Sequence, residues 1–158
     1  MGEDGDLGFV VKKDSDIVIF TNTSSRLSRE IFTLAHELGH IVLHLAGINL
    51  FIDNAHTLSS RNVDEMEQEA NYFAACLLMP DDEVGRFLDR EIDLKEQNEL
   101  SAFDIARLMV EFNVSFDMAL NRLENLGQID SAERIRLDNQ RNQTRVGNLL
   151  RSVGETAA

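Results

Sequence analysis

Residues 33–44 read TLAHELGHIVLH, and the HELGH inside them (36–40) decides how the rest of the chain is read. Side chains four apart on an α-helix project from one face, so His36 and His40 can reach a single metal ion. Glu37 lies beside that ion rather than in line with it, where a carboxylate can take a proton from water held at a metal. Chance places H-E-x-x-H in a chain of this size on the order of 1% of the time or less. The competing reading is a buried helix that happens to contain histidines. A metal site therefore needs a third ligand from elsewhere in the chain.

Around this motif the periodicity is helical from Arg29 to about Leu45. Ile31, Leu34, Ala35, Leu38, Ile41, Val42 and Leu45 mark one face, and Phe32 and Leu43 add apolar groups elsewhere. That pattern predicts a helix buried nearly all round. Ser28 is placed to cap it and Gly47 to end it. Upstream, GFVV (8–11) and DIVIF (16–20), joined by KKDSD, predict a β-hairpin. Residues 48–62 read as an irregular connection containing His56. A second helix is expected from about Val63 to Met79, with Asn62 as cap, Glu65 three residues on and Pro80 as the stop. A third is expected over roughly 82–89, opened by Pro80 and its two aspartates. Residues 90–100 are charged and poor in core positions. Ser101 and Asp104 then form a capping box for a helix to about Phe112. Asn113-Val114-Ser115 make a tight turn, and a further helix ends at Gly127. The polar tail after Asp130 is expected to be helical in part and frayed at its end.

The second helix, EMEQEANYFAACLLMP (65–80), carries Glu65, Glu67 and Glu69. Acidic residues near a helix start ordinarily face solvent and favour the macrodipole. With HELGH upstream, one of them is the expected third ligand, because catalytic zinc takes three protein ligands and keeps a fourth position open. Glu67 and Glu69 are separated by about 200° of helix rotation, so only one can face the ion. Glu67 shares its face with Asn71, Ala74 and Leu78, which leaves room for the HELGH helix and puts Asn71 where it can orient a ligand. Glu69 aligns with Phe73, Cys76 and Leu77, a face that reads as packing with Glu69 at its wet end. Glu67 is favoured, with Glu69 the alternative.

FTLAHELGHIVLH followed by EQEANYFAACLLMP resembles the ImmA/IrrE family of zinc-dependent metallopeptidases, over roughly residues 8–130. VSFDMALNRLENLG (114–127) is similar to that family's helix-turn-helix-like segment. The resemblance implies a gluzincin-like site, with Zn2+ held by His36, His40 and a glutamate of the second helix, and Glu37 as general base. Glu67 to Asn71 also resembles the E-x-x-A-D ligand helix of other gluzincins, with Asn71 standing where they have an aspartate. Larger members of that family carry an extra DNA-binding or sensor domain; none is expected within these residues, which read as a fragment or a small stand-alone member. The fold implied is α+β: a zincin-like core over 1–90, a helix-turn-helix-like appendage over 91–130 and a polar, partly helical tail over 131–158. The implied substrate is a regulatory protein, such as a transcriptional repressor of a mobile element or of stress genes.

The remaining candidates have plainer readings. His44 continues the face of His36 and His40; it is either a helix-end group bonding a carbonyl or a support for the site. His56 reads as a surface histidine, with oxyanion stabilisation as the alternative. Tyr72 is expected to pack in the core and Cys76 to be a small buried hydrophobe.

The 158 residues carry 28 acidic and 15 basic groups, a net charge of −13. This disfavours broad phosphate-driven nucleic-acid binding. Between Ser101 and Asp130, Asp104, Glu111, Asp117, Glu124 and Asp130 oppose only Arg107 and Arg122, so packing or protein recognition is favoured over DNA there. Residues 131–151 are mildly basic, with five arginines against Glu133 and Asp138; a solvated helix is the default and an acidic partner the alternative. Cys76 is the only cysteine, which rules out an internal disulfide. No signal-peptide pattern or stretch of ~18 apolar residues is present, and a cytoplasmic location is expected. The rival to an enzyme is a non-catalytic regulator with a structural or vestigial metal site, acting by binding a partner protein or DNA. A base at position 37 favours catalysis, since a structural site has no use for it. Oligomeric state is not legible in the sequence.

Overall fold

The computed structural model describes residues 8–21, 26–45, 63–92, 98–143, 151 and 153–154. They are mostly helical, with one hairpin, in keeping with a small α+β domain. They fall into two compact units, divided between Leu78 and Met79. Among the described residues no helix is long and apolar enough to cross a membrane.

In the first unit, strands β1 (Gly8–Lys13) and β2 (Asp16–Thr21) pair antiparallel, with Val10 opposite Ile19 and Lys13 opposite Asp16. Asp14 takes the left-handed conformation (φ 53°) that a two-residue connection demands. The hairpin touches helix α1 (Leu27–His40), which continues as a π-helical turn over Ile41–Leu45. Helix α2 (Val63–Leu78) packs along α1.

Two sequence expectations for α1 need correction. Arg26, not Ser28, stands at the N-cap, because the first turn closes earlier and the Arg29 and Glu30 N–H groups donate to the Arg26 carbonyl. Nor is the helix buried all round. Leu34, Leu38, Val42 and Leu43 are 37–49% exposed, whereas Thr33, Ala35 and Gly39 are buried. The buried stripe is made of small residues because it faces another helix at short range, and periodicity weighted by hydrophobicity pointed to the larger ones. Gly47, Asn62 and His56 lie outside the described residues.

The second unit contains α3 (Asp81–Glu91), α4 (Ala102–Phe112), α5 (Phe116–Asn125) and α6 (Ser131–Gln143). Pro80 precedes α3 with its fixed φ (−58°). The expected capping box on α4 is present: Ser101 Oγ accepts from Asp104 N–H at 3.3 Å and Asp104 Oδ2 accepts from Ser101 N–H at 2.8 Å. Asn113, left-handed at φ 51°, ends α4, and Ser115 caps α5, giving the tight three-residue turn. Gly127 (φ 69°) follows α5, and the Gln128 N–H returns to the Leu123 carbonyl, closing the helix end. Ile105, Leu108, Leu120, Leu123 and Leu137 are fully buried here. The sequence segmentation put α3 with the N-terminal core, up to residue 90. In the structure its Phe87 ring meets Phe112 edge-on at 6.1 Å, and Glu91 pairs with Arg107 at 2.9 Å, so α3 packs with α4.

Candidate metal centre

The site begins with a glycine. A Cβ on Gly39 would stand 3.2 Å from both the Cα and the carbonyl oxygen of Ala70 and 3.1 Å from Phe73 Cδ1. Ala70 and Ala74 are fully buried. With no bulk at these positions the two backbones come together, and the side chains flanking the crossing meet head-on. His36 and His40, on either side of Gly39, converge there on Glu67 of α2.

His36 Nε2 lies 3.2 Å from Glu67 Oε2, and His40 Nε2 lies 3.1 Å from Glu67 Oε1. The two Nε2 atoms are 3.0 Å apart. These three residues are the one cluster of metal-ligating groups among the described residues, each offering one donor atom within 4.8 Å of the others. Their outer atoms are committed elsewhere. His36 Nδ1 is 2.9 Å from Asn71 Oδ1, an acceptor, so Nδ1 carries the proton and Nε2 presents a lone pair. His40 Nδ1 is 2.9 Å from His44 Nδ1. With the His40 proton on that side as well, two imidazole lone pairs and a carboxylate face one point, an arrangement that repels itself without a cation. The donor set of two neutral imidazoles and one carboxylate suits a divalent transition metal.

Burial holds the Glu37 carboxyl above the ordinary carboxylate range, with His36 opposing the shift and the Glu67 charge adding to it. Burial likewise pushes the His40 imidazolium down, reinforced by His36. A His40 kept neutral is in the form a metal requires. Half-buried Glu37 is not part of the three-residue donor cluster.

Asn71 and Glu67 do share the face expected of them. Glu69 does not join the cluster: its Oε2 is 2.8 Å from His44 Nε2. It stands at the wet end of its face, with its side chain 57% exposed. His44 is buried and bonded on both ring nitrogens, to His40 and to Glu69, and not to a helix carbonyl. The place of His44 on the face of His36 and His40 was expected from its spacing; its pairing with Glu69 was not. Tyr72 is 56% exposed rather than packed in the core, and Cys76 is only half-buried. Both lie off the buried stripe of α2 that Met66, Ala70 and Ala74 form.

The model of the peptidase M78 family, described as the IrrE N-terminal-like domain, matches residues 5–124. The chain is 35% identical over 74 residues to the radiation response metalloprotease IrrE of Deinococcus radiodurans, covering 46% of this chain and 22% of that protein. It is 34% identical over 90 residues to the uncharacterized immunity region protein 2 of Bacillus phage phi105, covering 57% of this chain and 55% of that one. The chain thus spans about a fifth and about half the length of these two relatives. No solved structure matches it. With HELGH, the glutamate helix and the hairpin all inside the matched stretch, the chain belongs to the ImmA/IrrE family of IrrE N-terminal-like peptidase domains.

Proposed function

We propose that the protein is a zinc-dependent metalloendopeptidase that cuts a specific regulatory protein, such as a transcriptional repressor. The observation that carries this reading is the convergence of His36 Nε2, His40 Nε2 and the Glu67 carboxylate, at 3.0–3.2 Å, with the other nitrogen of each histidine already hydrogen-bonded. Ligand atoms at ~2.0–2.1 Å from zinc in a tetrahedron stand roughly 3.3 Å from one another, so the donors need shift only slightly. When bound, zinc polarises a carbonyl oxygen and acidifies a water ligand to a pKa of about 7.

In this reading Glu37 does the proton work. Its carboxylate takes a proton from the attacking water and hands it to the departing amine nitrogen. Partial burial raises its basicity toward the working pH. Strand β2, at an edge of the two-stranded sheet among the described residues, is the element to pair with an extended substrate. The fold is then zincin-like in its first unit. The α4–turn–α5 segment, which α3 joins, is helix-turn-helix-like, and the polar tail over 131–158 follows it. The arginines of that segment and the tail favour a protein partner over direct nucleic-acid binding. Arg107 pairs with Glu91, Arg122 is buried on the Met79 carbonyl, Arg134 pairs with Glu124 and Arg141 with Asp117. We place the protein in the cytoplasm.

The test is metal analysis of the purified protein combined with pull-down on Glu37→Gln as a substrate trap. Stoichiometric zinc and capture of a protein that wild type cleaves are expected. Metal-free protein that takes up no zinc on titration would overturn the reading.

A further inference from the structure

We propose that Glu69, acting through His44, sets the tautomer and orientation of the metal-binding imidazole of His40. The inference rests on the metal-site reading above but assigns a role to two residues outside the donor set. A buried imidazole between another imidazole and a carboxylate has few ways to place its protons.

Glu69 Oε2 lies 2.8 Å from His44 Nε2, and His44 Nδ1 lies 2.9 Å from His40 Nδ1. A carboxylate only accepts, so His44 Nε2 carries a proton and donates it to Glu69. A neutral His44 then has a bare Nδ1, which accepts the proton on His40 Nδ1. That leaves His40 Nε2 bare, at the atom facing Glu67 and His36. In the opposite arrangement, His44 donates from Nδ1, its bare Nε2 faces the Glu69 carboxylate, and His40 must protonate Nε2. That order repels at Glu69 and closes the donor atom. Direction is therefore fixed at the exposed end of the chain of bonds and delivered to the buried one.

The packing supports a positioning role. The His44 side chain is 1% exposed, so neither of its ring nitrogens is free to turn to water, while Glu69 is 57% exposed. His44 sits in the π-helical turn that follows α1, a distortion that sets its ring at a 51° tilt to His40 with centroids 5.1 Å apart. π-turns cost helix regularity and recur at functional sites. The arrangement also divides the support of the two histidines. His36 leans on the neutral amide of Asn71, and His40 receives the carboxylate support, one imidazole removed. Glu67 and Glu69, on opposite sides of α2, thus serve the same imidazole from its two ends.

The experiment uses Glu69→Ala and Glu69→Gln, both at an exposed position, with Glu67→Gln for comparison. Histidine tautomers are read from ring 15N chemical shifts of the full chain, with and without zinc, and zinc affinity by chelator competition. Wild type is expected to show His40 protonated at Nδ1 and His44 at Nε2 in both states. Glu69→Ala should mix the His44 tautomers in the zinc-free protein and weaken zinc binding by ~10–100-fold, the usual effect of losing a hydrogen-bonded support of a ligand. Glu69→Gln keeps an acceptor oxygen and should restore the tautomers and most of the affinity. A Glu69→Ala protein with unchanged tautomers and affinity would overturn the proposal, as would wild-type His40 carrying its proton on Nε2 without zinc. The tautomer readout in zinc-free protein decides the relay by itself. Absence of zinc binding by wild type would instead sink the metal-site reading.

Discussion

Gly39 and Ala70 hold the two site helices at backbone contact: a Cβ at Gly39 would lie 3.2 Å from the Ala70 Cα and carbonyl oxygen. That distance is too short to be absorbed by a rotamer change, since the partner is backbone. Gly39→Ala gains up to ~1 kcal/mol in helix propensity, but pushing apart a packed crossing costs about 1–3 kcal/mol. The expected net result is a lower melting temperature and weaker zinc binding, because α2 carries Glu67 away as it yields. Gly39→Val should be worse on both counts. Thermal unfolding and zinc competition check it; a Gly39→Ala protein that melts higher and holds zinc as tightly would show that the backbones are not in contact.

Glu37 separates chemistry from binding. It is outside the donor cluster, so Glu37→Gln should fold and keep its zinc. Removing a general base commonly costs ~10²–10⁴ in rate, and more where water is the sole nucleophile. His36→Ala and His40→Ala should lose both metal and activity. Zinc content and single-turnover cleavage of a trapped substrate make the comparison. Normal cleavage by Glu37→Gln would remove it from the mechanism.

How far the sequence was legible follows from the range of the forces involved. Two helix ends of the second unit were read well, unlike the α1 cap: the Ser101–Asp104 box and the Asn113 turn stand where local side-chain chemistry requires them. The face of α1 was misread because burial there follows the approach of another helix, and that approach is set by Gly39, Ala70 and Ala74, which have little hydrophobicity to signal it. His36, Asn71 and Glu67 came together as a 3.6-residue repeat on each helix predicts. His44 and Glu69 were each visible as residues, but their bond joins positions 25 apart and forms only once the crossing angle exists.

The Ser101 cap offers a test of the second unit that leaves the metal centre untouched. Ser101 Oγ accepts from the Asp104 N–H and donates to Asp104 Oδ2 at 2.9 Å, and Asp104 is 3% exposed. Ser101→Ala should cost ~0.5–2 kcal/mol, the usual loss for an N-cap. Asp104→Ala should cost at least as much, because it also strands the Ser101 N–H donor. Urea unfolding measures both. Zinc affinity is expected to stay at the wild-type value in each, and a loss of it would mean that the two units are coupled.

Glu67 and Glu69 give the sharpest comparison, since they share a helix, a charge and substantial exposure, at 50% and 57% for their side chains. A rotation of about 200° separates them, so a nonspecific effect of removing negative charge near two histidines would act on both alike. A coordinating role would not. Glu67 Oε1 and Oε2 each face an imidazole Nε2, whereas Glu69 reaches only His44. Glu67→Gln replaces an anionic donor with a weak amide oxygen and should leave the protein with little or no zinc after mild purification. Glu69→Gln should keep a full equivalent. Zinc measured by plasma emission on the two variants side by side decides the assignment: metal lost from Glu69→Gln and retained by Glu67→Gln would exchange the two roles and undo the relay through His44 with them.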